Sequence, residues 1–229
     1  MIRCNVWRDL QSWLFPELCS ACQKPLDWGD APLCLPCEAK LPYALQAFGQ
    51  TNALFRRLEG RTALHSAAYF LEYKRGSIGA KLLHKIKYDT HLKLLRYLLW
   101  QWAREWRPSG IWESATLIPV PPNRWQSRNR GYHAASEMAD ELSRLYGVKV
   151  CHNALIRRFL TRSQTRLNRL DRWANLDSIY SVDRKNLPPG PLILVDDVVT
   201  TGATAERCLS LLQSETDAPL ALLSLAYTL

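Results

Sequence analysis

Leu192-Ile193-Leu194-Val195-Asp196-Asp197-Val198-Val199-Thr200-Thr201-Gly202-Ala203-Thr204 opens with apolar residues that do not alternate and closes on threonines and a glycine. A run of that kind suits a central strand covered on both faces, because neither side chain row then meets water. Asp196 and Asp197 follow it, at the carboxyl end of the strand, where open α/β sheets bind their ligands. Paired carboxylates accept hydrogen bonds from vicinal ribose hydroxyls, or reach them through a bound magnesium ion. The turn that comes next offers backbone N–H groups, the hydroxyls of Thr200, Thr201 and Thr204, and the start of a helix, which together make a cradle for a phosphate dianion. Gly202 lets the main chain come close to such an anion. The expected sugar-phosphate segment is therefore Asp196, Asp197, Val198, Val199, Thr200, Thr201, Gly202, Ala203 and Thr204.

The sequence around this segment alternates strands and helices, which predicts a mostly parallel sheet with helices on both faces. Thr116 to Val120 is a short β-type run, and His133 to Tyr146 carries Ala135, Met138, Ala139, Leu142 and Leu145 at helical spacing before Gly147. Val148 to Cys151 reads as a second short strand, Thr204 to Leu212 as a helix, and Leu220 to Ala226 as a closing strand. Nearer the start, Ile78 to Trp106 is a long amphipathic stretch, read as two helices broken near Asp89 and stopped by Pro108 and Gly110. His65 to Tyr73 alternates weakly, like an edge strand or hairpin, and 41–61 reads as irregular connection. Val6, Leu10, Trp13 and Leu14 predict a short amphipathic helix ended by Pro16.

Cys19 and Cys22, then Cys34 and Cys37, form two pairs with eleven residues between them. Two such knuckles supply four thiolates for a tetrahedral zinc site, with Pro25, Gly29 and Pro32 permitting the turns. Four sulfurs close the coordination sphere, so the metal expected here is structural and does no chemistry. The remaining cysteines, Cys4, Cys151 and Cys208, stand alone, unlike the framework of an extracellular disulfide protein.

The net charge is +9, and residues 119–172 carry eleven basic against four acidic residues, or +7 of it. Within that stretch a proline-led turn presents Arg124, Arg128 and Arg130 just after the first strand of the α/β region. Arginine's fixed fork suits a pyrophosphate, and these three are the expected pyrophosphate ligands. Further on, Arg157, Arg158, Thr161, Gln164, Leu167, Arg172 and Asn175 form a polar segment between two strands.

These elements resemble the type I phosphoribosyltransferases and, within them, the ComF/GntX family of competence-associated proteins. The resemblance rests on the acid-pair loop, the cysteine quartet behind Leu14-Phe15-Pro16, Ile86-Lys87-Tyr88, Arg130-Gly131-Tyr132, and the Thr161 to Asn175 spacing. It implies a phosphoribosyltransferase-like fold that binds 5-phosphoribosyl 1-pyrophosphate, with Asp196 and Asp197 on the ribose and the following loop on its 5-phosphate. It implies a mobile loop over the reacting centre; Asp196, Asp197, Arg158 and Arg172 are the catalytic candidates, with magnesium accompanying the pyrophosphate. It also implies a part in DNA uptake or use. One departure stands out: where the family reads Arg-Gly-Phe-Asn-Gln, this chain has Arg130-Gly131-Tyr132-His133-Ala134, two amides fewer beside the pyrophosphate.

The expected organisation is a zinc-binding module over 1–45, a helical connecting segment or hood over 46–110, and a phosphoribosyltransferase-like domain over 111–229. No segment reaches the roughly 18 uninterrupted apolar residues of a membrane span, and the first twenty residues lack a secretory core, so the expected location is the cytoplasm. Two functions fit: transfer of a phosphoribosyl group to a nitrogen nucleophile, or a non-catalytic module that binds single-stranded DNA or a nucleotide and docks a helicase-like partner. Trp125, Tyr132 and His133, interleaved with the basic residues, would support the second.

Overall fold

The computed structural model describes residues 16–26, 31–88, 91–105, 107, 109–122, 132–157 and 179–228. The helix expected before Pro16 lies outside them. In chain order the elements are α1 (Leu35–Glu38), β1 (Tyr43–Gly49), α2 (Ala53–Leu58), β2 (Leu64–Tyr73), α3 (Ile78–Tyr88), α4 (Leu92–Glu105), a 3-10 turn (Gly110–Ser114), β3 (Thr116–Pro119), α5 (Ala134–Tyr146), β4 (Lys149–Val150), β5 (Leu155–Arg157), β6 (Tyr180–Val182), β7 (Leu192–Val199), α6 (Ala203–Gln213) and β8 (Leu220–Thr228).

Six strands form one sheet in the order β1-β2-β8-β7-β3-β4, and β5 with β6 forms a separate antiparallel pair. Within the six-stranded sheet, among the described residues, only β1 runs antiparallel to its neighbour; β2–β8, β8–β7, β7–β3 and β3–β4 are all parallel. Strand β7 lies between β3 and β8, which explains why its first four residues are all buried. Their side chains alternate between two cores. Ile193 and Val195 join Ala221 and Leu223 on one face, whereas Leu192 and Leu194 join Leu220 and Leu222 on the other.

The first face is covered by α3, α4 and α5, through Leu82, Leu83, Ile86, Leu94, Leu98, Trp102, Met138 and Leu142. The second is covered by α2 and α6, through Leu54, Leu58, Leu209 and Leu212. Each fully buried leucine contributes on the order of 1.5–3 kcal/mol, so the sheet is held from both sides. The sequence expectation of a mostly parallel sheet with helices on both faces describes this architecture.

Two local expectations are corrected. The weakly alternating stretch at 65–73 is not an edge: β2 pairs with β1 on one side and β8 on the other. Residues 66–71 are buried on both faces, which erases alternation. The stretch at 41–61 is not irregular throughout, for it holds β1 and α2. Register shifts along β1 break the two-residue period by which a strand is read from sequence. Residues 46–110, expected to be a connecting segment, thus contribute α2, β2 and part of β1 to the same sheet and core as the acid-pair strand. Among the described residues, no helix is long and apolar enough to cross a membrane.

Candidate functional site

β7 carries Asp196 and Asp197 past its buried half, and the chain then turns through Thr200, Thr201 and Gly202 into α6. A small cavity of about 40 Å³ opens at this turn, lined by Asp196, Val198, Val199, Thr200, Thr201, Gly202, Ala203, Thr204 and Ala205. A single water needs roughly 10–15 Å³ on this measure, so the cavity has room for a small anionic group and not for an aromatic base. It sits at the N-terminus of an 11-residue helix, where unpaired N–H groups and the helix dipole favour negative charge. The sequence-predicted segment is therefore brought together around one cavity, with the exception of Asp197, which is not part of its wall.

Gly202 makes the turn possible. Its φ is +83°, in the left-handed region, and a Cβ there would lie 3.0 Å from Leu58 Cδ2 of α2. The cradle is thus packed directly on a helix from the hood segment. The Arg61 and Glu206 side chains pair across the same junction, and Ala63 N donates to Gln213 Oε1 at 3.2 Å.

The acid pair is wired locally. Asp197 N–H donates to Asp196 Oδ1 at 2.9 Å, and Val198 N–H donates to Asp197 Oδ1 at 2.7 Å. Burial, and then the neighbouring Asp197 charge, push the Asp196 carboxyl up to about 8, while Lys87 opposes the shift. Asp196 therefore carries a proton at neutral pH more readily than a free carboxyl. Lys87 Nζ, from α3, stands 3.2 Å from Asp197 Oδ2.

Two further residues reach the cradle from the β5–β6 pair. Tyr180 is partly buried and hydrogen-bonded to the Thr204 side chain, and burial raises its phenol above the usual range. The Arg157 guanidinium lies 5.4 Å from the centre of the Tyr180 ring, within cation–π range. Beneath them Cys208 is buried, its thiol pushed up by burial and then by Asp196, which makes it inert. Sequence reasoning assigned no role to Tyr180 or Lys87. Lys87 lies within the Ile86-Lys87-Tyr88 stretch, but Tyr180 carries no local signal, because only the return of the chain to β6 puts it there. Arg124, Arg128, Arg130, Arg158 and Arg172 lie outside the described residues. His133, which stands at one of the two positions where the resembled pattern has an amide, caps α5 by accepting from Ser136 N at 3.3 Å.

Away from this site the four cysteines converge. The Sγ atoms of Cys19, Cys22, Cys34 and Cys37 all lie within 4.8 Å of one another. The first knuckle closes through Cys19 N–H to Lys24 O at 2.8 Å and Gln23 N–H to Cys19 O at 2.9 Å. Gln23 adopts a φ of 62°, a strained value for a side-chain residue, and its Nε2 returns to Cys19 O at 3.1 Å. Burial pushes the Cys19 thiol up, but N–H groups of Cys22, Cys34 and Ala21 outweigh it and bring it down to about 6. Burial and the other thiols push Cys37 up to about 12. The cluster has the ligand number, donor type and spacing of a structural zinc site. The module rests on α4: Cys19, Leu33 and Cys37 share the core of Leu94, Leu98 and Trp102, and Lys93 Nζ pairs with Glu17 at 2.6 Å.

No family model matches the chain. The chain is similar to Competence protein F of Haemophilus influenzae, with 29% identity over 198 residues, covering 86% of this chain and 84% of that protein. This likeness supports the ComF family that the motifs resemble.

Proposed function

We propose that this chain is a ComF-like protein that binds 5-phosphoribosyl 1-pyrophosphate, or a related phosphorylated ribose, and serves DNA uptake or use. The competence role is drawn from the relative named above. The ligand is drawn from one observation: an acid pair at the end of a central parallel strand runs straight into an anion-sized cavity at a helix N-terminus. In this reading Asp197 accepts from a ribose hydroxyl, the protonated Asp196 can donate as well as accept, and the N–H groups of 201–204 hold the 5-phosphate. Zinc in the cysteine cluster keeps the N-terminal module folded.

Transfer at this site would break the bond between ribose C1 and the pyrophosphate oxygen and join C1 to a nitrogen nucleophile, with pyrophosphate leaving. Arg124, Arg128 and Arg130 would offset the charge of that leaving group, and magnesium would arrive bound to it. Arg158 and Arg172 remain candidates for the closing loop. Calorimetry with 5-phosphoribosyl 1-pyrophosphate tests the reading: heat of binding is expected for the native chain and is expected to be lost in Thr201→Ala and Asp197→Ala. Absence of heat with the native chain would remove it.

A second reading, binding of single-stranded DNA, draws on a groove of about 510 Å³ lined by Ser20, Ala21, Gln23, Tyr73, Gly76, Ala80, Lys81, His84 and Lys85. Residues 73–88 hold Lys74, Arg75, Lys81, Lys85 and Lys87 and no acidic residue, and Tyr73 offers a ring for a base to stack on. A salt titration of single-strand binding separates the two. A steep slope that survives Asp196→Asn and Asp197→Asn belongs to the groove and not to the ribose site.

A further inference from the structure

The core residues Leu82, Leu83 and Ile86 are each 0–2% exposed and fix α3 against the sheet. Lys87 is the next residue after Ile86, and that anchoring sets its ammonium 3.2 Å from Asp197 Oδ2. Both partners are largely enclosed, at 28% and 22% side-chain exposure, so solvent screens the pair far less than an open surface ion pair. We infer that Lys87 takes the place of a divalent cation at the acid pair, so that this site grips a phosphorylated ribose without a metal on its carboxylates.

Charge and space at the acid pair both disfavour a second cation. The Lys87 ammonium already stands against Asp197 Oδ2 at 3.2 Å and occupies the side from which a cation would approach that carboxylate. A dication brought to Asp197 would have to displace that ammonium or lie within a few ångströms of it, and either outcome is unfavourable when the helix holding the lysine is locked in the core. An ammonium has three donors, and the Asp197 contact uses one. The others can serve a ribose hydroxyl or a ligand phosphate oxygen, which is the service a metal would otherwise give. Magnesium then belongs to the pyrophosphate alone. The inference rests on the ribose-binding reading for its ligand, but its cation part does not.

Manganese relaxation of water protons tests the cation part on the full chain with zinc supplied, since manganese prefers oxygen ligands and leaves thiolates to softer metals. The native chain is expected to show no manganese site that Asp197→Asn removes. Lys87→Met, which keeps the aliphatic stem, is expected to create one, and Lys87→Arg is expected not to. A site in the native chain sensitive to Asp197→Asn overturns the inference, as does the lack of any site in folded Lys87→Met. The native measurement stands even should that variant fail to fold. Calorimetry with ribose 5-phosphate, with and without magnesium, tests the rest. The native Kd is expected to be unchanged, whereas Lys87→Met should bind about tenfold more weakly without magnesium and recover with it. A tenfold gain for the native chain on adding magnesium overturns the proposal. No binding in either condition overturns the ribose reading, and the manganese result then still judges Lys87.

Discussion

Gly202 carries two constraints at once: a left-handed backbone, and Leu58 Cδ2 where a Cβ would go. Gly202→Ala is expected to cost about 1–2 kcal/mol from the backbone alone, read as a shifted urea midpoint, with further loss from moving Leu58. Asp196 makes a different prediction. Its carboxyl is raised, so the folded chain keeps a proton that the unfolded chain has released, and stability drawn from this group falls as pH rises from about 4 to about 8. Asp196→Asn does not titrate. Its melting temperature should therefore gain on that of the native chain as pH increases across this window, and a constant difference would show that Asp196 is an ordinary carboxylate.

At the scale of elements, α2 holds the cradle from below, and beside its buried leucines one polar side chain caps it and ties it to β2. Asn52 is 3% exposed; its Oδ1 accepts from Phe55 N at 2.9 Å, and its Nδ2 donates to Ala67 O of β2 at 2.6 Å. Asn52→Ala removes a helix cap and leaves a buried strand carbonyl short of a partner. The expected loss is about 1–3 kcal/mol, measured by chemical unfolding. Because Leu58 of the same helix touches Gly202, affinity for ribose 5-phosphate should weaken too. The β5–β6 pair offers a parallel case: Tyr180→Phe keeps the ring but frees the Thr204 hydroxyl.

On the scale of the whole molecule, the cysteine module and the sheet share a core. Cys19 and Cys37 are buried with Leu94, Leu98 and Trp102, and these in turn pack with sheet residues such as Phe70 and Leu225. Metal removal is therefore expected to lower the melting temperature of the entire chain in one transition, followed by circular dichroism with a zinc-selective chelator. Cys37→Ser should do the same without chelator. Two separated transitions, the sheet unchanged, would show that the module folds independently.

The linear chain was sufficient for whatever depends on neighbours in sequence. The unalternating Leu192–Val195 announced a strand covered on both faces, the twin acids and threonine-glycine turn announced a small cavity at a helix N-terminus, and paired cysteines announced a four-sulfur cluster. Period and spacing carry that information because hydrogen-bond geometry repeats locally. Tertiary folding alone decided which distant side chains complete the site. Lys87 meets Asp197 from a separate helix, Tyr180 meets Thr204 after a long excursion of the chain, and Leu58 supports Gly202 from a segment read as irregular. Those partners are set by how sheet faces and helices pack, and packing leaves no period in the sequence by which a partner could be read.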